Sequence, residues 1–200
     1  MAKINSSTQS LADGLLKAGC VKFGDFTLKS GAKSPIYIDL RRLVAFPDLL
    51  KDVAAAYAKI MQDLEFDQVA ALPYAAMPIG TAISLHGGWR MVYPRKESKG
   101  YGTKVDVEGV YDAKQRIVVI DDLISSGGSK LEGIIKLNEV GLKVSDIVVL
   151  IDRQPEGVDF MGEHGYKLHS VFKLRDLLHY WEENGAVDAE MIAKAWAFLG

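Results

Sequence analysis

The residues with the clearest chemical potential stand directly after a short apolar run, residues 117–120. Two carboxylates, Asp121 and Asp122, follow the run, and a group of small residues comes next: Ser125, Ser126, Gly127, Gly128 and Ser129. Glycine and serine let backbone N–H groups turn toward an anion, and the N-terminus of a following helix favours the same charge. The carboxylates repel phosphate, so they are better suited to accept hydrogen bonds from sugar hydroxyls or to lie near a metal ion. The pattern predicts a site for a phosphorylated sugar.

The elements that would position these residues alternate along the chain. Apolar runs predict strands at residues 69–72, 91–93, 117–121, 146–151 and 168–171, with short strands on either side of a turn at 29–31. Helical spacing predicts helices at residues 6–18, 47–64, 126–140, 175–181 and 188–199, and a small-residue helix that ends near residue 85. Because strands and helices alternate, we predict one α/β domain with a parallel sheet covered by helices on both faces. An ordinary strand, acidic turn and N-capped helix would explain residues 116–130 without a ligand.

Other polar residues follow the ends of predicted strands, which in a parallel sheet lie along one edge and can converge on one ligand. The long polar segment 94–109 follows the second strand and carries four cations, Arg95, Lys96, Lys99 and Lys104. Its charges and glycines indicate a mobile loop, either a solvated segment or a lid that closes over a polyanion. Arg153 follows the strand at 146–151 and suits either a surface salt bridge or bidentate binding of a carboxylate.

The composition excludes several classes of protein. With 24 basic and 26 acidic residues, the net charge of −2 gives no general attraction to nucleic acid or membranes. The single cysteine, Cys20, rules out an intrachain disulfide framework, and no cysteine and histidine cluster has the spacing of metal ligands. The first ten residues lack the apolar core of a secretory signal, and there is no apolar run of about 18 residues. We therefore expect a cytoplasmic protein.

Five segments resemble one enzyme family. The sequence IVVIDDLISSGGS at 117–129 resembles the phosphoribosyl-pyrophosphate (PRPP) motif of type I phosphoribosyltransferases, which joins a strand, two acidic residues, two variable residues and a small-residue loop. Segments 26–41, 72–80, 93–109 and 151–157 are similar, in the same order, to orotate phosphoribosyltransferase, and 95–109 is most similar to the orotate domain of UMP synthase. The resemblance runs from about residue 11 to the end of the chain. It implies the type I phosphoribosyltransferase fold in one domain, with residues 1–40 contributing a base-binding hood.

The resemblance also implies an activity. The chain would be a glycosyltransferase, more narrowly a pentosyltransferase, that converts orotate and PRPP to orotidine 5′-monophosphate and pyrophosphate in pyrimidine (UMP) biosynthesis. Mg²⁺ would enter with PRPP and be held mainly by oxygens of that substrate, with no direct protein ligand. A homodimer is implied, in which the loop bearing Lys99 reaches the partner's site. An orotidine monophosphate decarboxylase would be either a separate partner or a fused domain.

The roles of individual residues follow from the same resemblance. Asp121 and Asp122 would bind the ribose hydroxyls of PRPP, and together with Lys99 they are the implied catalytic residues. The 5′-phosphate would be held by Ser125, Ser126, Gly127, Gly128 and Ser129. The pyrophosphate would meet Arg95, Lys96, Lys99, Tyr101 and the loop that carries Tyr74. Orotate would be surrounded by Lys29, Tyr37, Ile38, Ser125 and Arg153.

The chain departs from the family pattern at a few of these positions. Tyr101 stands where many relatives have His, and Ala75 where many have Lys, so a pyrophosphate contact at 75 is limited to backbone atoms. Two rival functions remain. A phosphoribosyltransferase for another base, such as a purine, is disfavoured because Lys29 and Arg153 supply cations for a carboxylate. A regulator that retains the PRPP fold and binds nucleic acid is disfavoured by the near-neutral charge.

Overall fold

The computed structural model describes residue 4 and residues 6–27, 31–97 and 106–200. In chain order the helices are α1 (Ser6–Lys17), α2 (Pro47–Met61), α3 (Ala76–Gly87), α4 (Gly128–Glu139), α5 (Phe160–Glu163), α6 (Leu174–Glu183) and α7 (Ala189–Leu199), with a 3₁₀ helix at Leu40–Ala45. The strands are β1 (Val21–Thr27), β2 (Lys33–Ile38), β3 (Gln68–Ala71), β4 (Met91–Pro94), β5 (Val107–Glu108), β6 (Arg116–Ile124), β7 (Lys143–Asp152) and β8 (Lys167–Lys173). The elements form two compact units, Met1–Leu49 with Phe172–Gly200, and Leu50–Val171.

The first unit is built on a β-hairpin. Strands β1 and β2 pair antiparallel, with Val21 opposite Ile38. Helix α7 packs against both strands. Trp181 of α6 is fully buried, and its ring meets Phe23 edge to face at 6.0 Å. The unit therefore buries an aromatic core beneath a two-stranded sheet, which agrees with the short strands predicted around residues 29–31.

The second unit contains the main sheet. Within the described residues, six strands lie in the order β5-β4-β3-β6-β7-β8. Strands β4, β3, β6 and β7 are parallel neighbours, and β5 pairs antiparallel with β4 at the edge. Strand β3 and residues 117–120 of β6 are buried at every position, as expected for strands covered on both faces. The predicted α/β fold with a mostly parallel sheet is confirmed.

Two predicted boundaries next to the candidate site were wrong, and both errors come from pairing between strands. Strand β6 runs to Ile124, so Asp121 and Asp122 lie inside the strand, because its pairing with β7 continues to Ile124 opposite Asp152. The polar segment 94–109 was predicted to be loop throughout. Its end forms β5, because Val107 pairs with Pro94 and is buried. The short helix α5 was not predicted, and the Asp159 side chain caps it by accepting a hydrogen bond from Gly162 N–H.

Two glycines bring helices close to the strand end that carries the candidate site. A Cβ at Gly80 of α3 would lie 2.5 Å from the Cβ of Ala71, at the end of β3. A Cβ at Gly133 of α4 would lie 2.6 Å from a methyl of Leu72. Both positions lack room for a side chain, so α3 and α4 pack directly against β3 and the residue after it. No helix in the described ranges is both long and apolar enough to cross a membrane.

Candidate active site

The loop between β6 and α4 has the geometry of an anion site. Gly127 precedes α4 with φ +74°, in the left-handed region, and its carbonyl accepts hydrogen bonds from Lys130 N–H at 3.0 Å and Leu131 N–H at 3.2 Å. The first N–H groups of a helix have no intrahelical acceptor, so those of Gly128 and Ser129, which precede Lys130 in α4, are available to a ligand. Ser125, Ser126, Gly128 and Ser129 are exposed. A phosphate can therefore approach the helix N-terminus across small side chains.

The residues that follow β7 contact both the end of β6 and the loop after it. Arg153 N–H donates to the Ile124 carbonyl at 2.9 Å, which joins the ends of the two strands. Gln154 Oε1 accepts from Phe160 N–H at 3.1 Å, which holds the start of α5 in place. The Phe160 ring lies where a Cβ on Gly127 would be, with its Cε1 atom 2.6 Å from that position. Only glycine fits at 127, for its backbone angle and for the space available.

The two aspartates have different surroundings. Both oxygens of the buried Asp121 carboxylate have a partner: its Oδ2 lies 2.7 Å from Nζ of Lys130, and its Oδ1 accepts from Asp122 N–H at 2.9 Å. Lys130 Nζ also donates to the Leu123 carbonyl at 2.6 Å. Asp121 is therefore neutralised by a buried ammonium group.

The Asp122 carboxylate is more available to a ligand than that of Asp121. Its Oδ1 accepts from Leu123 N–H at 2.8 Å, and among the described residues no ion pair and no donor N–H group is found on its Oδ2. Burial and the neighbouring charge of Asp121 raise the pKa of Asp122 to about 6. Below the pair, the buried Tyr57 hydroxyl donates to the Asp121 carbonyl at 2.8 Å, and burial raises the pKa of Tyr57 well above its usual value. The Asp122 carboxylate is the one with a free oxygen for a ligand.

Cations line a small pocket on the side of β4. The pocket holds about 90 Å³ and is lined by Leu72, Pro73, Pro94, Arg95, Lys96, Ser129, Glu132, Gly133 and Lys136. Arg95 pairs with Glu108, yet its Nε is buried without a hydrogen-bond partner. Lys96 Nζ lies 5.0 Å from the ring centre of Tyr74, a residue that is 66% exposed after a cis Pro73–Tyr74 peptide bond. The side chains of Arg95, Lys96 and Lys136 therefore place positive charge beside α4.

Two lysines that the sequence interpretation did not single out shape the site. Lys130 is 4% exposed, and Lys136 Nζ donates to the carbonyls of Arg95 at 2.6 Å and Lys96 at 3.1 Å. Lys136 thus ties α4 to the start of the segment 94–109. A signal for Lys130 exists in the sequence, since it precedes the buried Ile134 and Leu137 by four and seven residues and so lies on the apolar face of α4.

The residues predicted to bind orotate are divided between the two units. In the first unit, the Tyr37 ring stacks on Phe26 with ring centres 5.3 Å apart, and Ile38 pairs with Val21. In the second, Arg153 is half-buried, burial lowers its pKa, and its Nε has no hydrogen-bond partner. Lys29, Lys99 and Tyr101 lie outside the described residues.

Solved structures define the class of fold. Orotate phosphoribosyltransferase from Aeropyrum pernix aligns with a TM-score of 0.75 and 32% identity, over 89% of this chain and 99% of that one. UMP synthase of Leishmania donovani aligns with a TM-score of 0.89 and 45% identity, over 98% of this chain and 42% of that one. The fold is that of the type I phosphoribosyltransferases.

Sequence comparison identifies the family within that class. Orotate phosphoribosyltransferase of Archaeoglobus fulgidus is 37% identical over 172 residues, which cover 84% of this chain and 92% of that protein. The chain belongs to the orotate phosphoribosyltransferase family. Bovine uridine 5′-monophosphate synthase is 38% identical over 201 residues, all of this chain and 42% of that enzyme, so the chain spans about two fifths of its length. No protein-family model matches the chain.

Proposed function

We propose that this chain transfers phosphoribosyl from PRPP to orotate, giving orotidine 5′-monophosphate and pyrophosphate. The observation that carries the proposal is the β6–α4 loop, where a left-handed Gly127 and a helix N-terminus stand next to the partly free carboxylate of Asp122. Such a loop suits the phosphate and the hydroxyls of one phosphorylated sugar. Family membership supports orotate as the acceptor.

In this proposal the loop and Asp122 hold the ribose phosphate. The 5′-phosphate lies against the N–H groups of residues 125–129, and the free Asp122 oxygen accepts a hydrogen bond from a ribose hydroxyl. Cleavage of the bond from C1 to pyrophosphate leaves positive charge on the ribose, which a nearby carboxylate stabilises. Because the Asp122 pKa is about 6, the charged form that this role requires predominates above that pH.

The leaving pyrophosphate is assigned to the cations around the small pocket. Arg95 and Lys96 start the segment that also contains Lys99 and Tyr101, and its closure would neutralise the pyrophosphate and exclude water. The buried Arg95 Nε without a partner supports this, since a bound oxygen would satisfy it. We expect Lys99→Ala to slow turnover greatly while leaving the fold intact, and near-normal turnover in that variant would refute the role of the lid.

Orotate is an anionic nucleophile, so the site needs cations to orient it and no strong base. The unpartnered Arg153 Nε supports carboxylate binding at the end of β7. The resemblance also assigns Lys29, Tyr37, Ile38 and Ser125 to orotate, and these assignments are part of the proposal. Arg153→Lys keeps the charge and loses the planar pair of donors, so we expect the KM for orotate to rise at least tenfold. The exposed Arg90→Lys is the matched control.

The residues of this site are compatible with Mg²⁺ that is bound mainly through oxygens of the substrate. Within the described residues there is no group of three metal-ligating side chains, and Asp121 is occupied by Lys130. Mg²⁺ commonly keeps several waters and binds through substrate phosphates, so a site with one free carboxylate, Asp122, is compatible with it. When bound, Mg²⁺ would neutralise charge on the pyrophosphate oxygens.

The test is orotate-dependent release of pyrophosphate from PRPP, measured with and without Mg²⁺. Adenine and hypoxanthine serve as alternative acceptors, and PRPP alone measures hydrolysis. We expect release with orotate and Mg²⁺, and slow hydrolysis without orotate. Release with a purine instead of orotate would replace the proposed acceptor. Inactivity with every base, together with RNA or DNA binding at physiological salt, would favour the regulator.

The assembly and the setting are also proposals. We propose a homodimer that shares the Lys99 loop, an orotidine monophosphate decarboxylase as fused domain or partner, and a cytoplasmic location. A relative of this chain is the bifunctional enzyme PyrF/PyrE of Nostoc sp., of which the match covers 36%. Mixing Lys99→Ala with Asp122→Asn tests the shared loop, because a hybrid dimer would regain one complete site. No recovery of activity after subunit exchange would contradict it.

A further inference from the structure

The strongest unexplained feature of the molecule is a buried lysine under the phosphate loop. Lys130 is 4% exposed, and lysine is almost never buried to this degree without a partner. Its Nζ makes two contacts to β6, with Asp121 Oδ2 at 2.7 Å and with the Leu123 carbonyl at 2.6 Å. The lysine belongs to the first turn of α4, so one side chain links both ends of the loop that carries residues 125–129.

We propose that Lys130 is a positioning residue that assigns the two aspartates of the motif different tasks. Lys130 neutralises Asp121 and makes it a structural anchor, and Asp122 alone binds the ribose. The inference rests on the proposed function, and it departs from the equal roles that the sequence resemblance implies for the two carboxylates.

The hydrogen bonds of Asp121 are the first support. Its Oδ2 is held by Lys130, and its Oδ1 accepts the N–H of Asp122. Asp121 is buried, whereas Asp122 is half-buried and has a free oxygen. Each oxygen of Asp121 already has a partner and little of the side chain is accessible, so a ribose hydroxyl reaches Asp122 more readily than Asp121. The carboxylate therefore fixes the backbone of Asp122 rather than contacting the ligand.

The position of Lys130 in the chain is the second support. Its bond to the Leu123 carbonyl closes a ring of residues 123–130 around the phosphate loop. The Gly127 carbonyl accepts from Lys130 N–H within the same ring. Loss of the ammonium group would release the strand end and the helix start together. The expected result is weaker binding of the ribose phosphate, with a smaller effect on orotate, for which Ser125 is the one residue of this ring that is proposed.

The experiment compares Lys130→Met, Asp121→Asn, Asp122→Asn and the double variant Asp121→Asn/Lys130→Met. Methionine keeps the length of the side chain and removes its charge. We expect Lys130→Met to raise the KM for PRPP at least tenfold with little change in the KM for orotate. The double variant buries no unpaired charge, so it should recover stability, whereas its KM for PRPP should stay raised because the bond to the Leu123 carbonyl is still missing. The exposed Lys143→Met is the matched control and should behave as wild type.

Asp121→Asn and Asp122→Asn provide the decisive pair, even if Lys130→Met fails to fold. We expect Asp122→Asn to lower kcat/KM for PRPP at least a hundredfold, and Asp121→Asn less than tenfold. Equal losses in the two variants would overturn the inference, as would an unchanged KM for PRPP in a folded Lys130→Met. A double-mutant cycle on unfolding gives the Asp121–Lys130 coupling independently of activity, and zero coupling would also refute the inference. An inactive wild type would refute the proposed function instead.

Discussion

Gly127→Ala is the most direct test of the phosphate loop, because the substitution adds one methyl group at the residue that begins the anion site. Two effects act together. An alanine at φ +74° lies in the left-handed region, which costs about 1–2 kcal/mol. Its Cβ would also overlap Cδ1 of Phe160 and lie 2.6 Å from Cε1, so the ring of α5 must move.

The magnitude follows from adding these effects. Overpacking of this kind costs about 1–3 kcal/mol, so the free energy of unfolding should fall by about 2–5 kcal/mol in total. For a chain of this size, that corresponds to a fall in Tm of about 4–20 °C. The Phe160 N–H bond to Gln154 holds the start of α5 in place and limits how far the ring can retreat, so the loop backbone shifts as well. Phosphate affinity should therefore fall together with stability.

The assay is denaturant unfolding of the ligand-free chain, with Gly128→Ala as the matched control. A Cβ on Gly128 meets nothing within 4 Å, and alanine is favoured over glycine in helices by up to about 1 kcal/mol. We expect Gly128→Ala to leave stability unchanged or slightly raised. In the Gly127→Ala background, Phe160→Leu should recover part of the loss that is due to the ring. Equal stability of the two alanine variants would refute the reasoning.

Three further predictions concern residues around the same strand ends. Asp122→Asn should stabilise the ligand-free protein at pH 8 by up to about 3 kcal/mol. Burial raises the pKa of Asp122 from 3.8 to about 6, so at pH 8 the folded state carries the cost of a buried charge that asparagine does not have. The gain should disappear near pH 4 in thermal unfolding, and a gain that persists there would contradict the cause. Tyr57→Phe should cost about 1 kcal/mol by removing the buried hydrogen bond to the Asp121 carbonyl, and unfolding midpoints unchanged from wild type would contradict this. Gly80→Ala should cost about 1–2 kcal/mol net, as overpacking against Ala71 exceeds the gain in helix propensity, and a stabilised variant would show that α3 can move away.

The strands and the phosphate loop could be predicted because their signals are local. A strand covered on both faces must be apolar at successive positions, and residues 117–120 are. The loop was recognisable because glycine and serine at 125–129 allow a tight turn into a helix and directly follow two carboxylates and a buried strand. The residues at which strands begin and end could not all be predicted in this way. β5 and the last residues of β6 exist through pairing with other strands, β4 and β7, which no local pattern shows.

The order of residue types is enough to predict the alternation of strands and helices, the small-residue loop and the two adjacent aspartates. The difference between these aspartates depends on the folded chain, because it comes from Lys130, which reaches back from α4 to β6. In the same way, Lys136 ties α4 to the backbone of Arg95 and Lys96, some forty residues earlier. Residue types predict which groups can be charged, whereas burial and long-range contacts decide which charge is neutralised and which is left for a ligand.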